Sequence, residues 1–245
     1  MGWSEADIPA LNGKYALITG GASGIGFAAA QALAEHSLEL IIADRNAAAA
    51  EAAIARIRER SPRAQITFRE LDLADMASVR AFAGVLLEEA RPIDLLINNA
   101  GIQPLSERRT SRDGFELTFG IGHVGHFLLT ALLYPLIRQA SAARIVTVSS
   151  MVHAAGRFDW SDIQMERGYS AQRAYNQTKL ANLLFARELQ RRIDCKGDDV
   201  LSLAVHPGVA RTSIGSNRRS LGQFGLGDHV VSLVLSLVKI GRAHV

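Results

Sequence analysis

The chain has 245 residues, 48 % of them apolar, which suits one domain with a large buried core. Its formal net charge is +3, only four of its 27 basic residues are lysine, and no basic stripe extends beyond Arg191-Arg192 and Arg218-Arg219, which argues against nucleic-acid binding. A single cysteine, Cys195, excludes an internal disulfide and any cysteine-rich zinc site, and no metal is expected.

Met1 to Asp7 lack the apolar core of a signal peptide. Tyr15 to Thr19, Leu38 to Ala43, Ile66 to Glu70, Ile93 to Ile97, Arg144 to Val148 and Val200 to Val205 read as six apolar strands. Between them, residues 25–35, 47–60, 78–89, 115–139 and 175–192 carry helical spacing or alanine-rich composition. Strands alternating with helices predict a doubly wound parallel sheet, a three-layer α/β/α Rossmann domain, with strand order 3-2-1-4-5-6. Gly215 to Gly227 looks like a loop. The apolar stretch Val230 to Ile240 is broken by Ser232, Ser236 and Lys239, and is shorter than the roughly 20 residues a bilayer needs. A cytoplasmic protein is the expectation, with a membrane-surface role as the less favoured alternative.

The first strand runs into Thr19-Gly20-Gly21-Ala22-Ser23-Gly24-Ile25-Gly26 and then a helix. Glycines let the backbone approach a pyrophosphate, and the helix N-terminus supplies free N–H groups and a positive dipole. The spacing Gly-x-x-x-Gly-x-Gly at Gly20, Gly24 and Gly26 also fits a plain strand-to-helix turn; its place after the first strand favours a dinucleotide site. Asp44 ends the second strand, where a carboxylate accepts both adenosine ribose hydroxyls and repels a 2′-phosphate. Arg45 follows and could meet that phosphate instead, so NAD is favoured and NADP stays open. Asp72 and Leu73, after the third strand, could border the adenine. Asn99, Ala100 and Gly101, after the fourth, would lie against the cofactor.

Tyr175 and Lys179 stand one helical turn apart and share a helix face. A free tyrosine titrates near pH ~10. A neighbouring ammonium stabilises its phenolate and lowers that value. This is proton-transfer chemistry. Tyr169 lacks such a partner, since Arg173 stands four residues on.

The glycine turn, Asn98-Asn99-Ala100-Gly101, Ser149-Ser150, the Tyr175-x-x-x-Lys179 pair and His206-Pro207-Gly208 occur in the order of the short-chain dehydrogenase/reductase family, which residues 11–215 resemble. Gly125 to Thr130, Arg144 to Ser150 and Lys179 to Leu189 resemble its retinol-dehydrogenase-like branch. The resemblance implies an NAD(P)-dependent interconversion of alcohol and carbonyl. Tyr175 would be the acid/base, Lys179 would tune Tyr175 and hold the nicotinamide ribose, and Ser150 would orient the carbonyl, with Ser149 as the alternative. Pro207 and Gly208 would border the nicotinamide and Thr212 would bond its carboxamide. The implied substrate is a small apolar alcohol, aldehyde or ketone; self-association into a homo-oligomer stays open. Phe158, Trp160 and Ile163, in a long stretch between Ser150 and Tyr175, would either line the substrate side or pack.

Two features depart from the family. Its usual asparagine on the long helix falls on Gly122, which has no side chain to kink the helix or hold a water beside the lysine; His123 is expected on another side. A catalytically weakened dinucleotide-binding scaffold or sensor is therefore the alternative function. Residues 240–245 also read as the translation of a sequencing-adapter string, which predicts a chain cut short of its last strand.

Overall fold

The computed structural model describes residues 7–207. Gly208, Thr212, the stretch Val230 to Ile240 and the final six residues lie outside them. Six parallel strands form one sheet: β1 (Tyr15–Thr19), β2 (Glu39–Asp44), β3 (Ile66–Glu70), β4 (Leu95–Asn98), β5 (Ala143–Val148) and β6 (Val200–Val205). Their order is β3-β2-β1-β4-β5-β6, as the alternation predicts. The order reverses between β1 and β4, which opens a crevice at the carboxyl ends of the strands.

Side chains alternate across the strands, so each face builds its own core. Ala16, Ile18, Leu40 and Ile42 pack with Leu33 of α1 (Gly24–Glu35) and with Ile54 and Ile57 of α2 (Ala47–Arg60). On the other face Leu17, Ile41, Leu96 and Ile145 meet Val79, Phe82 and Leu86 of α3 (Met76–Glu89). The buried residues of α2 are Ala50, Ala53, Ile54 and Ile57, the i, i+3, i+4, i+7 stripe of an amphipathic helix. Asn46 caps α2 by accepting the Ala49 N–H at 3.0 Å. Asp75 accepts the Ala77 and Ser78 N–H groups and so starts α3 two residues before the predicted Ser78.

The stretch expected as one helix over 115–139 has three parts. Glu116, itself buried, accepts the Thr118 and Phe119 N–H groups and starts α4 (Leu117–Phe119). A π-helical segment follows (Gly120–Val124), and α5 (Gly125–Ile137) completes the rod. The Gly125 N–H reaches back to the Gly120 carbonyl, one residue beyond the α-helical partner. The helix is therefore distorted at Gly122 without an asparagine side chain, contrary to expectation. An added Cβ at Gly122 would come within 2.6 Å of Thr178 Cγ2, and one at Gly125 within 2.6 Å of the Leu73 carbonyl. Small residues here let the rod approach its neighbours. Leu117–Ile137 is also the one helix among the described residues long and apolar enough to cross a membrane; 56 % of its apolar window is buried inside the domain.

The last helix, α6 (Ala171–Lys196), begins four residues before Tyr175, because Ser170 accepts the Arg173 N–H. It ends at Gly197, whose φ of 70° only glycine adopts without strain.

The Gly122–Thr178 contact makes a testable pair. Gly122→Ala should destabilise the chain by about 1–3 kcal/mol in urea unfolding. Adding Thr178→Ser, which removes the methyl and keeps the hydroxyl bonded to the Ala174 carbonyl, should recover most of that loss.

Candidate active site

At the end of β1 the chain turns through Gly20, with φ of 66°, into the N-terminus of α1. A Cβ at Gly20 would sit 2.9 Å from the Ala100 Cα, so the crossing of the two segments requires glycine. At Gly26 a Cβ would collide with the Gly20 carbonyl oxygen. Ser23 makes no side-chain cap, which leaves the first N–H groups of α1 facing the crevice. These are the donors a pyrophosphate uses.

The turn is clamped from below. The Thr19 hydroxyl accepts the Asn99 and Ala100 N–H groups, both at 3.0 Å. Asn99 Nδ2 donates back to the Thr19 and Gly20 carbonyls at 2.9 and 3.2 Å. The amide of Asn99 thus shapes the cofactor turn rather than reaching into the cavity. His126 completes the clamp. Burial pushes its pKa down to about 3, so the ring is neutral. Its Nδ1 faces the Gly122 carbonyl at 3.4 Å and must carry the proton; Nε2, 2.8 Å from Thr19 Oγ1, accepts the hydroxyl. Sequence reasoning missed His126. An ionisable residue within an apolar helical run was the available signal.

A cavity of about 490 Å³ follows the crevice. Gly20, Ser23, Gly24, Ile25 and Gly26 line its floor. Asp44, Arg45, Asp72 and Leu73 border one end, and Asn99, Ala100 and Gly101 the middle. Ser150, Tyr175, Lys179 and Pro207 close the other end. Asp44 Oδ1 also accepts the Asn46 N–H at 3.1 Å, which anchors the carboxylate at the tip of β2. Asp72 Oδ1 accepts the Ala74 N–H at 2.8 Å. The glycine cradle, uncapped helix end and ribose-height carboxylate fit an extended dinucleotide.

At the far end the two serines separate by role. Ser149 is buried, and its hydroxyl donates to the Lys179 carbonyl at 2.7 Å. Ser150 faces the cavity and hydrogen-bonds Tyr175. Lys179 is 6 % exposed and Nζ donates to the Val148 carbonyl at 3.1 Å. Burial lowers its pKa to about 8. Nζ lies 5.5 Å from the centre of the Tyr175 ring. The expectation of a depressed tyrosine does not hold here. Burial raises the Tyr175 pKa, the Ser150 hydrogen bond only partly offsets it, and the ammonium is held by Val148 instead. Tyr175 is thus a protonated phenol at neutral pH.

Three further groups take their places outside the cavity. Phe158 and Trp160 stack at 5.1 Å, and with Ile163 they border an apolar groove beside α5 and α6, not the dinucleotide cavity. His123 is on another side of the long helix, as expected: it borders the same apolar groove beside Phe119, Phe127 and Phe185 and not the cavity, while its Nδ1 lies 3.1 Å from Asn182 Oδ1. Tyr169 donates to the Leu105 carbonyl at 3.2 Å and does not line the cavity.

A sequence profile of short chain dehydrogenases matches residues 14–221. The chain belongs to this family. It is 42 % identical to retinol dehydrogenase 13 of Homo sapiens over 213 residues, covering 86 % of this chain and 62 % of that one. The chain thus spans less than two thirds of this curated relative. An uncharacterized protein from Mycobacterium paratuberculosis has a similar crystal structure, with TM-score 0.80, 39 % identity and coverage of 96 % of this chain and 80 % of that one. A short-chain dehydrogenase from Sphingobium yanoikuyae, solved in complex with NADPH, superposes with TM-score 0.66 and 28 % identity over 82 % of this chain and 73 % of that one.

The buried lysine has a stability signature. Its pKa is about 8 when folded against an ordinary 10.5, so between these values the unfolded chain binds more protons. Stability should therefore rise with pH across that window, by up to about 3 kcal/mol from this group. Tyr175, raised in the folded state, acts oppositely, and only above about pH 10. Melting temperature followed from pH 7.5 to 9.5 should rise relative to Lys179→Met, which lacks the slope.

Proposed function

We propose that the chain is an NAD(P)-dependent oxidoreductase that interconverts an alcohol and a carbonyl. One observation carries the reading: a single cavity joins the glycine turn at one end to Ser150, Tyr175 and Lys179 at the other. Family membership and the identity to a protein named retinol dehydrogenase 13 support it.

A bound nicotinamide supplies or accepts hydride at the substrate carbon. The N–H groups of α1 would hold its pyrophosphate, Asp44 the adenosine ribose, and Lys179 the nicotinamide ribose. In the reducing direction Ser150 orients the carbonyl oxygen by hydrogen bond. Tyr175 starts as a neutral phenol and donates its proton to that oxygen, as a general acid must. The ammonium of Lys179 then favours the phenolate left behind. In the oxidising direction Tyr175 takes the alcohol proton, so that rate should climb with pH while reduction declines at alkaline pH. Substrates of the class are apolar, such as the retinol that the relative is named for.

Asp44 favours NAD, because its carboxylate would face a 2′-phosphate. Asp44→Ala should weaken NADH by about tenfold or more, roughly 1.4 kcal/mol, and leave NADPH unchanged or improved. Nucleotide fluorescence titration reads this directly, and equal weakening of both would count against the assignment. Tyr175→Phe should cut reduction of retinal or a long-chain aldehyde by about 100-fold or more with little change in NADH affinity. The alternative, a scaffold or sensor, rests on Gly122. Its mark would be tight NADH binding by the unmodified chain with no turnover of any apolar aldehyde, ketone or alcohol.

A further inference from the structure

The Val148 carbonyl, at the end of β5, accepts two buried donors. One is Lys179 Nζ and the other is Asn182 Nδ2, each at 3.1 Å. Asn182 is 2 % exposed and stands three residues after the lysine on α6. Its Oδ1 faces His123 Nδ1 at 3.1 Å, in the π-helical segment. Only one assignment satisfies all three groups. The Val148 oxygen can only accept, so the amide nitrogen must face it. Oδ1 then faces the histidine, which carries its proton on Nδ1. A flipped Asn182 would set two oxygens against each other. His123 therefore locks the amide.

We propose that Asn182, oriented by His123, is a positioning residue for Lys179: it fills one side of the Val148 carbonyl and so leaves the lysine ammonium directed to the dinucleotide cavity. The proposal rests on the assignment of Lys179 to the reactive end of the site. It also shows what stands beside the lysine when position 122 has no side chain. Thr178 Cγ2 occupies the space next to Gly122, and the adjacent His123 reaches, through Asn182, the Val148 carbonyl that also accepts from Lys179 Nζ. With Asn182 gone, the carbonyl's second lone pair is open. The ammonium can then draw back onto it and away from the cavity. The amide N–H also places partial positive charge beside the ammonium, and its removal favours the charged form. The titratable neighbours are Tyr175 on α6 and His123 and His126 on the long helix. Burial lowers the pKa of both histidines, leaving the rings neutral at pH 7 and above, and burial is the cause of the lysine's own shift.

The test uses the full chain, labelled with 13C-lysine, without cofactor. The chain has four lysines, and Lys179→Met assigns the resonance. In Asn182→Ala the 13Cε titration midpoint of Lys179 should rise by about one pH unit. His123→Phe should shift it the same way, and His123→Asn, which keeps an N–H donor near the Nδ1 position, should restore it. A purely structural role would lower the melting temperature and leave the midpoint in place. An unchanged midpoint in folded Asn182→Ala overturns the proposal. If that variant does not fold, an unchanged midpoint in His123→Phe does so. NADH titration separates the underlying reading: if Lys179→Met binds NADH as tightly as the unmodified chain, the lysine's cofactor role fails, whatever the midpoints show.

Discussion

The Thr19 hydroxyl is the constraint on which the cavity depends. β1 and β4 are neighbours whose onward chains must part, because the sheet order reverses between them. Parting strands strand their terminal N–H groups, and buried N–H groups without partners are costly. Thr19 Oγ1 accepts from two of them, Asn99 and Ala100, and donates its own O–H to the neutral His126 ring in a hydrogen bond. Asn99 returns its amide to the Thr19 and Gly20 carbonyls. The glycine turn is thereby fixed from its underside, and its upper face is left to a ligand.

The reactive end obeys a different constraint, the burial of one ammonium. Lys179 is almost wholly enclosed and keeps one clear acceptor, the Val148 carbonyl. That carbonyl immediately precedes Ser149 and Ser150, so the lysine and the serine that faces Tyr175 are held by the same strand end. Ser149 ties the strand back to the Lys179 carbonyl, which fixes β5 against α6. Position of charge, phenol and hydroxyl therefore follows from two backbone carbonyls and one buried serine.

Much of this was legible in the sequence. The alternation of apolar strands with helices gives the layer order and the topology, because parallel strands buried on both faces read as unbroken apolar runs. The glycine turn, Asp44, Asn99 to Gly101 and Ser150 are marked by residue type at strand ends, where a doubly wound sheet places its ligands, and Tyr175 and Lys179 by their one-turn spacing on a helix. What was not legible depends on distances between elements. The π-helical segment arises where Gly120, Gly122 and Gly125 let the rod close onto Thr178 and Leu73, and no local pattern reports that contact. The outward course of Phe158 and Trp160 depends on where the chain runs between Ser150 and α6. The pairing of His123 with Asn182 spans 59 positions. The direction of the Tyr175 shift reversed because burial, which sequence does not display, outweighs the Ser150 hydrogen bond, while the Lys179 ammonium is engaged by the Val148 carbonyl.

Direct hydride transfer within one cavity is the central claim, and isotope transfer tests it most directly. The chain would be incubated with retinal or decanal and NADH carrying deuterium at nicotinamide C4, and the alcohol analysed by mass spectrometry. The structure predicts one deuterium on the carbinol carbon, from one of the two C4 faces only. NADH binding with no label in any alcohol would contradict an oxidoreductase and leave a dinucleotide-binding protein.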